Sequence, residues 1–156
     1  VRAAGARPIL RTLRGQNQFK LHLAVTYVAV IEGRIAGLWT IAASSLERTN
    51  IPNARLRRRF PSYPLPVLRL GRLGVDRRAQ GLGIGKALLR HVLHLAAEQR
   101  DRLGCVGVVK DAKGKAVRFY EARGFVPLEG VREGLLASEP LPMFLAIETV
   151  ASTIEG

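Results

Sequence analysis

The segment Asp76-Arg77-Arg78-Ala79-Gln80-Gly81-Leu82-Gly83-Ile84-Gly85-Lys86 constrains this chain more than any other. It joins an apolar stretch, residues 67–75, to a run whose apolar positions Leu88, Val92, Leu95 and Ala96 share one helical stripe. A strand, a glycine turn and an amphipathic helix in direct succession predict a ligand cradle. Glycine lets the backbone come close to a ligand and turn its amides toward one point. Those amides, with the positive end of the following helix, make a site for phosphate. The alternative is a turn that serves packing only. Two common phosphate ligands are disfavoured. A P-loop needs Gly, four residues, Gly-Lys and then Ser or Thr, whereas here Gln80 stands at the first Gly and Ala87 follows Lys86. A dinucleotide fingerprint needs Gly-x-Gly-x-x-Gly, and the spacing of Gly81, Gly83 and Gly85 differs.

Around this turn the chain reads as alternating strands and helices. Residues 27–31 and 35–43 are apolar, β-branched runs joined by Glu32-Gly33-Arg34, a hairpin signal. Residues 50–66 hold four prolines and Arg55, Arg57, Arg58 and Arg59, which predicts a basic connection with at most one helical turn. The helix from Ile84 is expected to end at Gly104 as C-cap. Residues 105–109 form a short apolar strand, 115–123 a second helix closed by Gly124, and 125–126 and 143–150 the last strands. Residues 1–20 read as a basic arm or short helix, 21–150 as one α/β domain, and 151–156 as a tail.

The 156 residues make one domain's length, and the single Cys105 excludes a disulfide framework and a cysteine-based zinc site. His91 and His94 lack a third ligand and read as helix-surface residues, so no metal is expected. No run of 18 apolar residues occurs, and a soluble cytoplasmic protein without a membrane role is expected. The formal net charge is +13, with 25 basic and 12 acidic residues. Residues 1–31 contain no acid, and eight arginines lie between Arg55 and Arg78. From Glu121 onward acids outnumber bases. Charge polarised in this way attracts nucleic acid, phosphorylated cofactors or an acidic partner, or else reflects an arginine-rich solvated surface.

The pattern Arg78-x-x-Gly81-x-Gly83 resembles the pyrophosphate-binding motif of the GNAT superfamily of acetyl-coenzyme A N-acetyltransferases. Ala116-Val117-Arg118-Phe119-Tyr120-Glu121-Ala122-Arg123-Gly124-Phe125 resembles the superfamily's other signature, and the two stand in the family's order. The resemblance implies an α/β (α+β) domain with a mixed, mostly antiparallel sheet flanked by helices and a splayed central strand pair that binds acetyl-CoA. Residues 64–76, Asp111-Ala112-Lys113, Gln16-Asn17 and Ile35-Ala36-Gly37 further resemble one branch, the tRNA-acetylating toxins of bacterial toxin–antitoxin pairs. That branch acetylates the α-amine of an amino acid esterified to tRNA, which blocks translation. Its members are paired with a ribbon-helix-helix antitoxin, and a homodimer is expected. Two departures are a Gly74 where alanine is commoner and the lack of a Cys-Gly pair before Gln16-Asn17, which bears on substrate choice.

Carried over by position, Leu73, Gly74 and Val75 would meet the pantetheine arm and acetyl carbonyl. Arg78, Gln80, Gly81, Leu82, Gly83, Ile84, Gly85 and Lys86 would hold the pyrophosphate. Asp111, Lys115 and Phe119 would also line the cofactor, and Tyr120 would be the general acid beside its sulfur. From the residues themselves, strand amides near Leu73 and Val75 could polarise a carbonyl, as an oxyanion site does. Tyr120 is otherwise a core aromatic on an amphipathic helix, and Phe119 is the better packing residue. Asp111 reads best as a helix cap, with a phosphate ligand or a base as alternatives. The scarcity of candidate bases suits an α-amine, with a pKa near roughly 8, better than a lysine at about 10.4. Arg57, Arg58, Arg59, Arg72 and Arg77 are candidates for tRNA phosphate contacts, as are Arg55 and Arg69. Tyr63 could stack on a base, whereas Trp39 is better read as core. Two other functions compete: an acetyltransferase of a small amine or protein N-terminus, and a non-catalytic acyl-CoA or nucleic-acid binding module.

Overall fold

The hairpin expected from Glu32-Gly33 is present, and its turn explains the sequence. Glu32 and Gly33 both take positive φ, 49° and 77°, the left-handed pair that a two-residue hairpin turn requires. The computed structural model describes residues 9–13, 23–130 and 139–150. The strands are β1 (Ile9–Leu13), β2 (Val25–Ile31), β3 (Arg34–Leu46), β4 (Leu65–Val75), β5 (Gly107–Ala112), β6 (Val126–Pro127) and β7 (Leu141–Ala146). The helices are α1 (Ala54–Arg59), α2 (Ile84–Arg102) and α3 (Ala116–Glu121), with single 3-10 turns at Arg48–Asn50 and Arg77–Ala79. The strands form one sheet in the order β1-β2-β3-β4-β5-β7-β6. The pairs β1/β2, β2/β3, β5/β7 and β6/β7 are antiparallel. This is the α/β architecture expected of the sequence.

Part of the segment expected to be a basic arm or short helix is instead a strand. Ile9 to Leu13 pair in register with Val30 to Thr26 of β2. The sequence Ile-Leu-Arg-Thr-Leu has β-compatible residues, and the open edge of β2 supplies the pairing that its charge pattern did not reveal. The rest of residues 1–20, with Gln16 and Asn17, and the tail 151–156 lie outside the described residues. The strand expected over 143–150 ends at Ala146, and residues 147–150 are helical. The strand expected over 105–109 starts later and runs on to Ala112.

The chain packs as two compact units, each made of separate stretches of sequence. Of the described residues, the first takes 9–13, 23–42 and 70–92, and the second 43–69, 93–130 and 139–150. In the first, Val28, Ala29, Ala36, Trp39, Ile84, Leu88, Leu89 and Val92 are buried. Tyr27 stacks on Trp39 with ring centroids 4.3 Å apart, and His91 lies 4.9 Å from the Trp39 ring. His91 is therefore half-buried against aromatic rings, a correction to its reading as a surface residue; His94 is exposed. In the second unit, Leu46, Ile51, Leu56, Leu65, Val67, Val109, Leu128 and Phe144 form one core cluster. Here α2 ends as expected, with Gly104 at φ 102° and its N–H donating to the Gln99 carbonyl at 2.8 Å. The single cysteine, Cys105, is buried in this unit, and burial pushes its thiol pKa up.

Gly37 on β3 is required by a close approach. A Cβ there would lie 2.9 Å from the Gly74 carbonyl oxygen and 2.9 Å from Leu88 Cδ1. At Gly74 a Cβ would meet nothing within 4 Å, and its φ is not positive. Gly37→Ala is expected to destabilise by about 1–3 kcal/mol, the usual cost of overpacking. That lowers Tm by roughly 2–4 °C per kcal/mol, whereas Gly74→Ala leaves Tm undiminished. Thermal melts followed by circular dichroism measure both.

Candidate active site

The chemistry-bearing residues fall on two segments, one in each unit. β4, whose residues 70–75 belong to the first unit, changes character along its length. Leu65, Val67, Leu68 and Leu70 are buried, but Gly71, Arg72 and Gly74 are exposed, and Leu73 and Val75 are half-buried. The second half of the strand therefore shows backbone to its surroundings where the first half shows side chains to a core. Its exit is fixed by the Asp76 N–H, which donates to the Ala36 carbonyl at 2.8 Å. The Ala79 N–H then donates to the Asp76 carbonyl at 2.8 Å, and the Gln80 side chain donates to the Val75 carbonyl at 3.4 Å. Buried Ala79 and Ile84 anchor the two ends of the turn.

Between those anchors Gly81 and Gly83 take φ +83° and +78°, and a Cβ on either would meet nothing within 4 Å. The first hydrogen bond of α2 runs from the Ala87 N–H to the Gly83 carbonyl at 3.1 Å. The amides of Ile84, Gly85 and Lys86 therefore have no carbonyl inside the helix to receive them. Arg77, Arg78, Gln80, Leu82 and Lys86 are exposed around them. Helix-end amides, left-handed glycines with free space above them and exposed cations suit a diphosphate. The features that suit a diphosphate are thus matters of backbone conformation as well as sequence pattern.

In the second unit β5 leads to α3. Tyr120 is buried, with 2% of its surface exposed. Its ring meets Phe119 edge-on at 5.1 Å and Phe125 at 5.3 Å. The Phe125 N–H donates to the Tyr120 carbonyl at 3.1 Å past Gly124 at φ 93°, so the helix end sets this aromatic group. Burial pushes the Tyr120 phenol up to about 12. Lys110 Nζ lies 5.9 Å from the Tyr120 ring centroid, and burial lowers the lysine's pKa against the raising influence of Asp111. Phe119 is half-buried with the Arg123 guanidinium 4.3 Å over its ring, the packing role expected of it.

Asp111 does not cap α3, contrary to the sequence-based expectation. β5 extends to Ala112, so Asp111 lies within the strand, and its Oδ2 accepts from the Arg69 guanidinium at 3.2 Å. Arg69 also donates to Ser44 Oγ at 3.5 Å. Lys115, exposed, occupies the cap position of α3 without a side-chain cap bond. The candidate arginines also separate. Arg57 donates to the Ile51 carbonyl and Arg59 pairs with Glu148 at 2.8 Å, while Arg58, Arg72 and Arg77 are exposed. Sequence reasoning missed Lys110 beside Tyr120 and the pairing of Arg69 with Asp111. Alternation along β5 puts Lys110 on the face of Val108 and Ala112, which was the available signal. Among the described residues no cluster of three or more His, Cys, Asp or Glu could hold a metal ion.

The raised Tyr120 phenol predicts a pH effect on stability. Between pH 10 and about 12 the folded state keeps the Tyr120 proton while the unfolded chain releases it. Stability contributed by the protonated, buried phenol is complete below the unfolded value near 10 and falls as pH rises toward 12. Tyr120→Phe should flatten that part of the stability curve, measured as denaturation midpoints from pH 9 to 11.5. A curve as steep as that of the unsubstituted chain would refute the assignment.

The acetyltransferase (GNAT) domain family matches residues 22–127. A tRNA-acetylating toxin of Mycobacterium tuberculosis is 35% identical over 94 residues, which are 60% of this chain. The chain spans only 55% of that relative's length. Among solved structures, AtaT complexed with acetyl-methionyl-tRNA superimposes with a TM-score of 0.79 at 21% identity, covering 93% of this chain and 98% of that one. A mutant AtaT toxin bound to the C-terminus of the antitoxin AtaR and acetyl-CoA gives 0.72 at 19% identity, covering 96% and 99%. These structures share the fold of this protein. With a family match that takes in both the glycine turn and Tyr120, the chain belongs to the GNAT acetyltransferases.

Proposed function

We propose that this chain transfers the acetyl group of acetyl-coenzyme A to the α-amine of an amino acid esterified to tRNA, and so blocks translation. The observation that carries the reading is the glycine turn. Gly81 and Gly83 are left-handed, and the amides of 84–86 are free of helical partners beside the exposed cations Arg78 and Lys86. The tRNA-directed part is supported by the 35% identity to a tRNA-acetylating toxin.

When bound, acetyl-coenzyme A supplies an acyl thioester whose sulfur leaves as the amine attacks. The amides and cations of residues 78–86 hold the diphosphate, and the bare backbone of Leu73, Gly74 and Val75 receives the pantetheine arm and polarises the carbonyl. Tyr120 offers its hydroxyl hydrogen to the sulfur. Its pKa of about 12 against roughly 8.5 for an ordinary thiol makes complete proton transfer unfavourable by on the order of 5 kcal/mol. Tyr120 therefore acts by a hydrogen bond that strengthens as charge develops on sulfur, and burial guarantees that the proton is present at every physiological pH. An α-amine with a pKa near roughly 8, lowered further by its ester, is sufficiently neutral to attack without a dedicated base, and the proton its nitrogen sheds as the amide forms passes to water or to the departing thiolate. Asp111, Lys115 and Phe119 complete the cofactor's surroundings, and Arg58, Arg59, Arg72 and Arg77 serve the tRNA phosphates, whereas Arg57 is held by the Ile51 carbonyl.

An antitoxin of the ribbon-helix-helix class is the proposed partner, and a homodimer the proposed assembly. A chain of net charge +13 suits an acidic antitoxin segment as well as RNA. A cytoplasmic location fits this substrate; no described helix is long and apolar enough to cross a membrane.

Incubation with labelled acetyl-coenzyme A and total charged tRNA should yield an N-acetylated amino acid on release from the tRNA. Acetylation of free amines at comparable rates would favour a small-molecule acetyltransferase instead. Tyr120→Phe should lower kcat by about 100-fold or more while coenzyme A affinity by calorimetry changes by less than about threefold. Unchanged turnover would remove Tyr120 from the mechanism. Arg58→Glu should raise KM for charged tRNA and reduce its salt sensitivity, with the KM for acetyl-coenzyme A retained. Equal change in both KM values would mean that Arg58 is structural.

A further inference from the structure

We propose that Tyr63 is a stacking platform for an unpaired nucleobase of the RNA substrate, a contact that rests on the tRNA-directed reading above. Tyr63 is 65% exposed, although an aromatic ring of this size normally contributes to a core. It stands in a four-residue link, 61–64, every member of which is exposed. Single exposed apolar side chains are ordinary on protein surfaces, so exposure alone decides nothing. The build of the link does.

Both ends of the link are fixed. Before it, Phe60 packs against the core cluster of Leu56 and Leu65, and its carbonyl accepts from the Arg48 guanidinium at 3.2 Å. After it, Leu65 is 2% exposed. Within it, Pro61 and Pro64 each lock their own φ. A following proline also confines the preceding residue to extended backbone, which applies to Phe60 and Tyr63. Phe60 obeys this, with φ −94° and ψ 148°. Tyr63 is thus an aromatic ring held out from a stiff short loop, with only its own two side-chain torsions left to order on binding. Rigid aromatic groups lose little entropy when they contact a ligand.

The neighbourhood selects the ligand. α1, which ends two residues before the link, is capped by Asn53, whose side chain accepts from the Arg55 and Leu56 amides. That cap and the inward Leu56 turn Arg55 and Arg58 outward, where both are exposed. Arg59 is exposed too, although it pairs with Glu148 at 2.8 Å. Cations for a phosphate backbone, followed within a few residues by a free aromatic face, are the combination that binds single-stranded nucleic acid. The link presents one aromatic ring between Pro61-Ser62 and Pro64, and one ring matches the area of one base.

The test uses the full chain with two acceptors: charged tRNA, and an amino acid methyl ester that has no base to stack. Tyr63→Ala should raise KM for charged tRNA on the order of tenfold, within the range for loss of one stacked base. Tyr63→Phe and Tyr63→Trp should stay within about threefold of the unsubstituted chain, since they keep the ring. The methyl ester should be acetylated by Tyr63→Ala with kcat/KM within about twofold of the original, which shows an intact fold and cofactor site. If Tyr63→Ala uses charged tRNA as well as the original chain does, the stacking role is overturned and the acetylation of tRNA stands. If the original chain does not acetylate charged tRNA at all, the function proposed above fails, and the stacking role fails with it.

Discussion

The hydrogen bond from the Asp76 N–H to the Ala36 carbonyl, 2.8 Å long, is the contact on which the geometry of the glycine turn depends. It joins the exit of β4 to β3 at the point where the glycine turn begins. The bond is possible because Gly37 carries no side chain; a Cβ there would meet the Gly74 carbonyl oxygen at 2.9 Å. Downstream, Ala79 and Ile84 are pulled into the core, so the turn is clamped at both ends while Gly81 and Gly83 remain open to their surroundings. A cradle with rigid ends and an unobstructed middle has its amides oriented before a ligand arrives, which removes an ordering cost from binding.

The excess of positive charge becomes intelligible once the arginines are separated by what they touch. Arg48 and Arg57 donate to the carbonyls of Phe60 and Ile51, and so tie the chain around α1. Arg69 spends its guanidinium on Ser44 and Asp111 across the sheet. Arg123 lies over the Phe119 ring and donates to the Phe119 carbonyl at 3.2 Å. These four do structural work that a composition-based reading counts as surface for a polyanion. Among the exposed cations, which also include Arg34, Lys86, Arg90, Arg102, Lys113, Lys115 and Arg118, Arg55 and Arg58 are grouped on α1 and Arg72, Arg77 and Arg78 along the end of β4 and its turn. Grouping, more than number, is what raises a local potential above the general field.

The turn's conformation was legible because it is written in residue types with no ready substitute. Left-handed φ at residues 81 and 83 asks for glycine, and the flanking strand and helix announce themselves by period. The hairpin at Glu32-Gly33 and the C-cap at Gly104 were legible for the same reason. What failed to show in the sequence depends on neighbours distant along the chain. β1 forms because β2 has an open edge, not because its five residues demand it. Asp111 is a strand residue paired with Arg69, 42 positions away, and nothing local distinguishes it from a helix cap. His91 looked superficial because its helix is amphipathic, yet the aromatic pair Tyr27 and Trp39 draws it inward.

On the proposed function, burial and chemistry at Tyr120 serve the same end. A phenol at about 12 is a poor acid, and a reading that demanded complete proton transfer from it would fail on energy. A donor hydrogen bond makes a different demand: the proton must be present whenever sulfur acquires charge, and the hydroxyl must not be replaced by water. The rings of Phe119 and Phe125, edge-on at 5.1 and 5.3 Å, meet that demand by desolvating the phenol, which is what raises its pKa. The same low-polarity surroundings strengthen the electrostatic gain from a hydrogen bond to a developing thiolate. Lys110 has its Nζ 5.9 Å from the ring centroid, and burial lowers its own pKa. The raised pKa records a dry environment around the phenol, which on the proposed function keeps the proton in place for donation.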